Sequence, residues 1–143
     1  MKRKDDEMGK SRPDNLRFCG VIPPMVTPLR RDGRLDVAGC GRLVEHILKG
    51  GVHGLFLLGT TGEAPDITYE VRRELVRRVC AQVRGRAPVL VGITDTVFDE
   101  SVKMAKYART CGAAALAPRE PFNEKDRALV KCRLEELRRI GLV

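Results

Sequence analysis

Residues 56–65 read FLLGTTGEAP, an apolar run that stops at a glycine before two threonines, a second glycine, an acid and a proline. An apolar run of this kind is typical of a strand buried on both faces. Gly59 and Gly62 allow the backbone to turn and to come close to a ligand. Thr60 and Thr61 place hydroxyls beside backbone amides, a combination that can hold a carboxylate. The stretch predicts a buried strand followed by a turn; the pattern favours a ligand-binding turn over the alternative, a purely structural connection between strand and helix.

Apolar runs of this type occur four times along the chain, at residues 20–28, 54–59, 88–93 and 112–118. The last run is rich in alanine, which favours helix, so its assignment as a strand depends on its position in the series. Segments with helical spacing of apolar residues separate the runs. This alternation predicts an α/β fold with a parallel sheet and right-handed crossovers.

Three helices are predicted between the runs. Their apolar stripes are Val37, Cys40, Leu43, Val44, Ile47 and Leu48; Val71, Leu75, Val76, Val79, Cys80 and Val83; and Val102, Ala105 and Ala108. Thr96 and Asp99 have the spacing of a capping box before the third stripe. Glycines at 50–51, 85 and 112 predict left-handed helix ends. A fourth, charged helix is predicted over residues 123–139.

Length and composition predict one globular domain with two polar ends. The chain has 143 residues, of which 43% are hydrophobic. We expect residues 1–17 to form a disordered basic tail, residues 18–118 to form the folded domain and residues 119–143 to form a divergent charged helical tail. The first residues are charged and lack the apolar segment of a secretion signal, and no run is long enough to span a membrane. A cytoplasmic location with no membrane partner is expected.

The five cysteines are odd in number and widely spaced, which argues against both a disulfide framework and a zinc site. Cys40, Cys80 and Cys111 lie among the apolar positions of helices, where cysteine usually acts as a small hydrophobe. The two histidines, His46 and His53, are expected at the surface. No metal is predicted.

The net charge of +8 raises the question of nucleic-acid binding. Glu74, however, precedes Arg77 and Arg78 with the spacing of exposed ion pairs on a helix, and aromatic residues make up only 4% of the chain. We therefore expect a solvated, arginine-rich surface and no nucleic-acid partner; a basic nucleic-acid-binding protein is the remote alternative.

Four stretches together resemble the first half of the dihydrodipicolinate synthase and N-acetylneuraminate lyase family: GVIPPMVTPLRRDGRLD, GGVHGLFLLGTTGE, GRAPVLVGITDT and GAAALAP. The resemblance covers residues 18–118. It implies a fragment of a TIM barrel, a half barrel of about four β/α units plus a C-terminal helix. It also implies a class I aldolase or lyase chemistry without a cofactor, in which an active-site lysine forms a Schiff base with pyruvate or a related 2-keto acid.

Particular roles follow from this resemblance. It implies that Thr61 and its backbone amide bind the keto-acid carboxylate, and that the Thr60 hydroxyl belongs to a proton relay that leads to a catalytic tyrosine. Gly59 and Gly62 would shape the turn, and Thr94 would line the pocket. For Glu63, two interpretations stay open: a carboxylate that braces the turn, or a solvated acid.

The chain also departs from the family pattern. The family's Schiff-base lysine and catalytic tyrosine come from later strands, and no lysine of this chain follows a predicted strand. Pro-Arg-Glu-Pro at residues 118–121 stands where the family usually has Pro-Tyr-Tyr. Two functional interpretations result: a Schiff-base lyase by family, or an inactive truncated fragment or keto-acid-binding half barrel. Because a half barrel leaves sheet edges open, we expect either a homodimer or a sheet covered by residues 123–139.

Overall fold

A computed structural model of the chain describes residues 18–118 together with Glu135 and Arg139. The predicted basic tail lies outside these residues, as does the predicted fourth helix apart from Glu135 and Arg139, which are helical. Helices and strands alternate in the order α1 (Val37–Lys49), β1 (Leu55–Leu57), α2 (Tyr69–Val83), β2 (Val89–Gly92), α3 (Phe98–Thr110) and β3 (Ala115–Ala117). Two single 3₁₀ turns, Thr60–Gly62 and Ala64–Asp66, connect β1 to α2.

The three strands form one parallel sheet in the order β1-β2-β3. Phe56 pairs with Leu90, and Leu90 pairs with Ala115, so these three residues lie side by side across the sheet. The predicted parallel α/β arrangement is confirmed, and the alanine-rich run is a strand.

The prediction of a regular strand over residues 20–28 is wrong. This segment, which we call the first run, lies beside β1 but makes a single parallel bridge, between Pro24 and Phe56. The Met25 amide donates to the Phe56 carbonyl at 2.8 Å, and the Phe56 amide donates to the Pro23 carbonyl at 3.1 Å. Two consecutive prolines have no amide hydrogen to offer a ladder, so regular pairing stops here. The described residues thus contain three strands, where the sequence predicted four.

The core lies between the helices and one face of the sheet. Leu55, Leu57 and Val91 are fully buried on that face, and all six stripe residues predicted for α2 are buried. Phe56 and Leu90 lie on the opposite face and are only partly buried. One face is therefore covered by helices, while the other retains apolar surface.

The helix ends agree with the sequence in part. Gly51, Gly85 and Gly112 have the predicted positive φ values, whereas Gly50 is right-handed. The predicted capping box at α3 is wrong, because Val97 precedes the helix and has no capping side-chain bond.

The acid that orders the start of α3 is Asp95. Its Oδ1 accepts from the Val97 amide at 3.1 Å and from the Thr96 hydroxyl at 3.4 Å. Thr96 is thus engaged by a residue on its N-terminal side, which prevents the reciprocal bonding with Asp99 that the spacing suggested.

Two of the three cysteines predicted among apolar helix positions lie in the core, and the third, Cys111, is partly buried against it. Cys40 and Cys80 are buried, and desolvation raises the pKa of each thiol to about 11, so neither forms a thiolate at neutral pH.

His53 is exposed as expected, yet it has a structural role that its sequence position did not indicate. The Val21 amide donates to His53 Nδ1 at 3.0 Å, and the His53 amide donates to the Val21 carbonyl at 2.8 Å. These two bonds attach the first run to the start of β1.

Part of the arginine content is neutralised in ion pairs. Arg78 donates to Glu74 at 2.8 Å, which confirms the predicted helix pair. Arg86 and Gln82 both donate to Glu45, and the Arg86 bonds are the main cause that lowers the pKa of Glu45 to about 2. No helix within the described residues has the length and apolarity needed to cross a bilayer.

Candidate functional site

The turn that follows β1 comprises residues 58–63, and we call it the threonine turn. Leu58 and Glu63, at its two ends, have positive φ values of 56° and 54°. The Gly62 amide donates to the Gly59 carbonyl at 3.0 Å, and the Glu63 amide donates to the Thr60 carbonyl at 3.0 Å. The amides of Thr60 and Thr61 are at the start of this 3₁₀ turn and donate to no carbonyl within it.

Both threonine side chains of this turn are exposed. They lie at the carboxyl end of β1, the edge of a parallel sheet where ligands usually bind. Glu63 is exposed too, and its carboxylate has no hydrogen-bond partner among the described residues. The geometry therefore favours the solvated acid over the bracing one at this position.

The two glycines of the turn leave little space for a side chain. A Cβ on Gly59 would lie 2.7 Å from the Phe56 ring, and one on Gly62 would lie 3.1 Å from the Met25 carbonyl oxygen. Bulkier residues would push the turn away from β1 and from the first run.

Neighbouring segments hold the threonine turn at both ends. At its start, the Leu58 carbonyl packs on Gly92 so closely that a Cβ there would overlap the oxygen and lie 2.9 Å from the carbonyl carbon. At its end, the Thr27 hydroxyl donates to the Gly62 carbonyl at 2.7 Å. Sequence reasoning missed Thr27, which reads there as part of an apolar run.

Thr94 follows β2 at the same edge of the sheet and is exposed. It lines a narrow cavity together with Leu58, Asp95 and Glu100. Of the threonine turn, only Leu58 lines this cavity; Thr60 and Thr61 do not.

A buried ion pair lies beside this cavity, and sequence reasoning missed it. Arg72 Nη1 donates to Asp95 Oδ2 at 2.8 Å, and the two side chains are only 12% and 7% exposed. The Tyr69 hydroxyl donates to the same oxygen at 3.0 Å, and the Arg72 guanidinium lies 4.7 Å from the centre of the Tyr69 ring. The cluster ties the start of α2 to the loop after β2.

This cluster is charged at neutral pH. Burial acts to raise the pKa of Asp95, but bonds from the Val97 amide, Arg72 and Tyr69 outweigh it and the pKa is lowered. The same carboxylate raises the pKa of the Tyr69 phenol through their hydrogen bond. Tyr69 is therefore a neutral donor committed to Asp95.

Residues 18–118 contain three lysines, and all of them lie on helices: Lys49, Lys103 and Lys106. A Schiff-base lysine needs a desolvated amine near the carboxyl ends of the strands. None of the three meets this requirement; Lys103, for example, pairs with Glu100 at 2.6 Å.

A parallel sheet with helices on one face places the chain in the α/β class, in which ligands commonly bind at the carboxyl ends of the strands. The dihydrodipicolinate synthetase family model matches residues 17–128. The chain belongs to this family.

Curated relatives and solved structures support the same family assignment. The chain is 40% identical over 111 residues to a 4-hydroxy-tetrahydrodipicolinate synthase of Salinibacter ruber, a match that covers 78% of this chain and 37% of the relative. A dihydrodipicolinate synthase structure from Bacteroides thetaiotaomicron is 42% identical with a TM-score of 0.79, covering 85% of this chain and 42% of that one. The structure of YagE from Escherichia coli K12 in complex with pyruvate is 32% identical with a TM-score of 0.77, covering 84% and 41%.

The chain spans less than half the length of each of these proteins. What it shares with them is the parallel α/β fragment that carries the threonine turn.

Proposed function

We propose that the threonine turn binds the carboxylate of pyruvate or a related 2-keto acid, as one half of a Schiff-base lyase site. The observation that carries this proposal is the exposure of Thr60 and Thr61 on a turn at the carboxyl end of β1. A relative with the same fold has been crystallised with pyruvate, which supports the choice of ligand.

Each side chain of the turn has a part in this proposal. The Thr61 hydroxyl and amide donate to the carboxylate, two bonds whose strength is increased by the ligand's charge. The Thr60 hydroxyl passes a proton toward a tyrosine that this sequence does not supply, since its two tyrosines, Tyr69 and Tyr107, lie on α2 and α3. Gly59 and Gly62 keep the turn close to its neighbours, and Thr94 lines the pocket. The Schiff-base lysine also has to come from outside residues 18–118.

The binding step is tested by replacing Thr61 with alanine in the full chain. Loss of one hydrogen bond to a charged group is expected to weaken pyruvate binding about tenfold or more. Thr110→Ala is the matched control, because Thr110 is an exposed threonine at the end of α3. Equal affinities for Thr61→Ala and the control, measured by calorimetry, would count against the proposed role.

The catalytic step is separated from binding by borohydride trapping. Incubation with pyruvate and borohydride is expected to leave the intact mass of the chain unchanged, since the lysines of residues 18–118 lie on helices and no other lysine of the sequence follows a predicted strand. A mass increase of one reduced pyruvate adduct would show instead that a lysine of this chain forms the Schiff base.

We further propose that a second copy of the chain covers the open face of the sheet. Phe56 and Leu90 on this face are partly buried, and Val26, two residues beyond Pro24 on the first run, is 49% exposed. Apolar sheet surface and unpaired strand edges favour self-association.

Light scattering after size exclusion is expected to give twice the chain mass of 15.9 kDa. Val26→Asp is expected to give a monomer, because it places a charge in the interface. Val97→Asp, at a valine 52% exposed before α3, is expected to remain dimeric. A folded monomer in the unmodified chain contradicts this proposal.

A further inference from the structure

We propose that Thr27 is a positioning residue that holds the threonine turn in its ligand-binding shape. This inference rests on the proposed function: Thr27 does not touch the ligand itself but holds the turn whose threonines would bind it. Thr27 belongs to the first run, and its bond to the Gly62 carbonyl joins residues 35 positions apart in the chain.

Burial makes this bond important. Thr27 is only 8% exposed, and among the described residues it is the one polar residue that is buried. Its hydroxyl lies 2.7 Å from the Gly62 oxygen, the usual distance of a well-formed bond from a hydroxyl to a carbonyl. A buried carbonyl without a donor is unfavourable, because its desolvation is not compensated by a hydrogen bond. The bond from Thr27 therefore strongly favours the position of Gly62 in which its carbonyl meets the hydroxyl.

The position of Gly62 determines the direction of the threonine side chains. Gly62 ends the 3₁₀ turn that begins at Thr60, and its own amide bonds back to Gly59. This turn consists of only three residues, so a shift of the Gly62 carbonyl moves both threonines with it. The opposite end is already fixed by the packing of Leu58 on Gly92.

Thr27→Val tests the role, since valine keeps the shape of threonine and removes the hydroxyl. Amide hydrogen exchange at Gly62 and Glu63, measured by NMR on the full chain, is expected to become about tenfold faster. Pyruvate affinity is expected to fall severalfold. Exchange in the β2 ladder is expected to change only as much as the global stability does.

Two controls separate positioning from a general loss of stability. Thr27→Ser keeps the hydroxyl and is expected to restore both slow exchange and affinity, and it serves as the second test if the valine variant does not fold. Thr110→Val removes a bond of the same type, from a hydroxyl to the Tyr107 carbonyl at 2.7 Å, far along the chain from the turn. It is expected to leave the turn and the affinity unchanged.

The outcomes distinguish this inference from the proposed function. Unchanged exchange at Gly62 and Glu63 in Thr27→Val, or a serine variant whose turn opens like the valine variant, overturns the positioning role. Faster exchange in Thr27→Val combined with absence of pyruvate binding in the unmodified chain supports the positioning role and refutes the carboxylate-binding proposal.

Discussion

Gly92→Ala is expected to lower the free energy of unfolding by about 3 kcal/mol, at the upper end of the cost of overpacking a core. A Cβ at this position would overlap the Leu58 carbonyl oxygen and lie 3.3 Å from the Leu57 carbonyl oxygen. Both neighbours are backbone atoms of β1 and the threonine turn, so they cannot rotate away as a side chain would. The variant has to separate the carboxyl ends of β1 and β2.

Gly41→Ala is the matched control for this change. A Cβ on Gly41 would meet only the Gln82 side chain, at an ordinary 3.5 Å, and Gly41 lies within α1. Alanine is expected to stabilise the helix by about 1 kcal/mol relative to glycine. Urea denaturation measures both effects, and a Gly92 variant as stable as the Gly41 variant would show that the close packing of Leu58 on Gly92 is not tight in solution.

The second large effect is expected at the buried ion pair. Arg72→Met is expected to destabilise the fold by about 3 kcal/mol, because it leaves the Asp95 carboxylate buried without its cation. Tyr69→Phe removes one of several donors to the same carboxylate and is expected to destabilise the fold much less than Arg72→Met does.

Glu74→Gln is the control, since it breaks an ion pair of the same α2 helix in which both side chains are more than a third exposed. Exposed pairs contribute at most about 1 kcal/mol. If Arg72→Met and Glu74→Gln lower the free energy of unfolding in urea equally, the Arg72–Asp95 pair does not stabilise the fold more than an exposed pair does.

The ion pair also predicts a pH dependence. The pKa of Asp95 is lower in the folded chain than the value of about 3.9 expected when the chain is unfolded. The contribution of Asp95 to stability is therefore complete above about pH 4, and it is lost as the pH falls through the folded pKa. Asp95→Asn is expected to reduce the slope of stability against pH in this acidic range, as measured by urea denaturation at several pH values.

The parts of the fold that the sequence predicted are those with a local signal. Helix α2 carries six apolar residues at helical spacing, and all six are buried. The threonine turn has glycines on both sides of its threonines, and it lies at the end of β1 as predicted. Its ligand and the roles of its threonines stay predictions.

The parts that sequence reasoning missed depend on contacts between distant residues. Arg72 and Asp95 lie 23 positions apart, and only the parallel crossover brings the start of α2 beside the loop after β2. The same holds for Thr27, whose neighbours in the chain are apolar. No local pattern identifies such a pair, because either residue alone has the signature of an ordinary helix or strand position.

Two errors have local causes. The first run contains enough apolar residues for a strand, but consecutive prolines remove the amides that a ladder requires. The capping spacing of Thr96 and Asp99 was outweighed by Asp95, whose carboxylate bonds to the Val97 amide. In both cases the available backbone hydrogen bonds determined the local structure. The sequence patterns had taken account of side chains alone.

The most direct test of the carboxylate-binding role is an amide-resolved NMR titration of the full chain with pyruvate. The proposal predicts that the largest shifts occur at the amides of Thr60, Thr61 and Gly62, that they saturate, and that Thr61→Ala weakens them. Shifts centred on another part of the chain, or none at high pyruvate concentration, would contradict it.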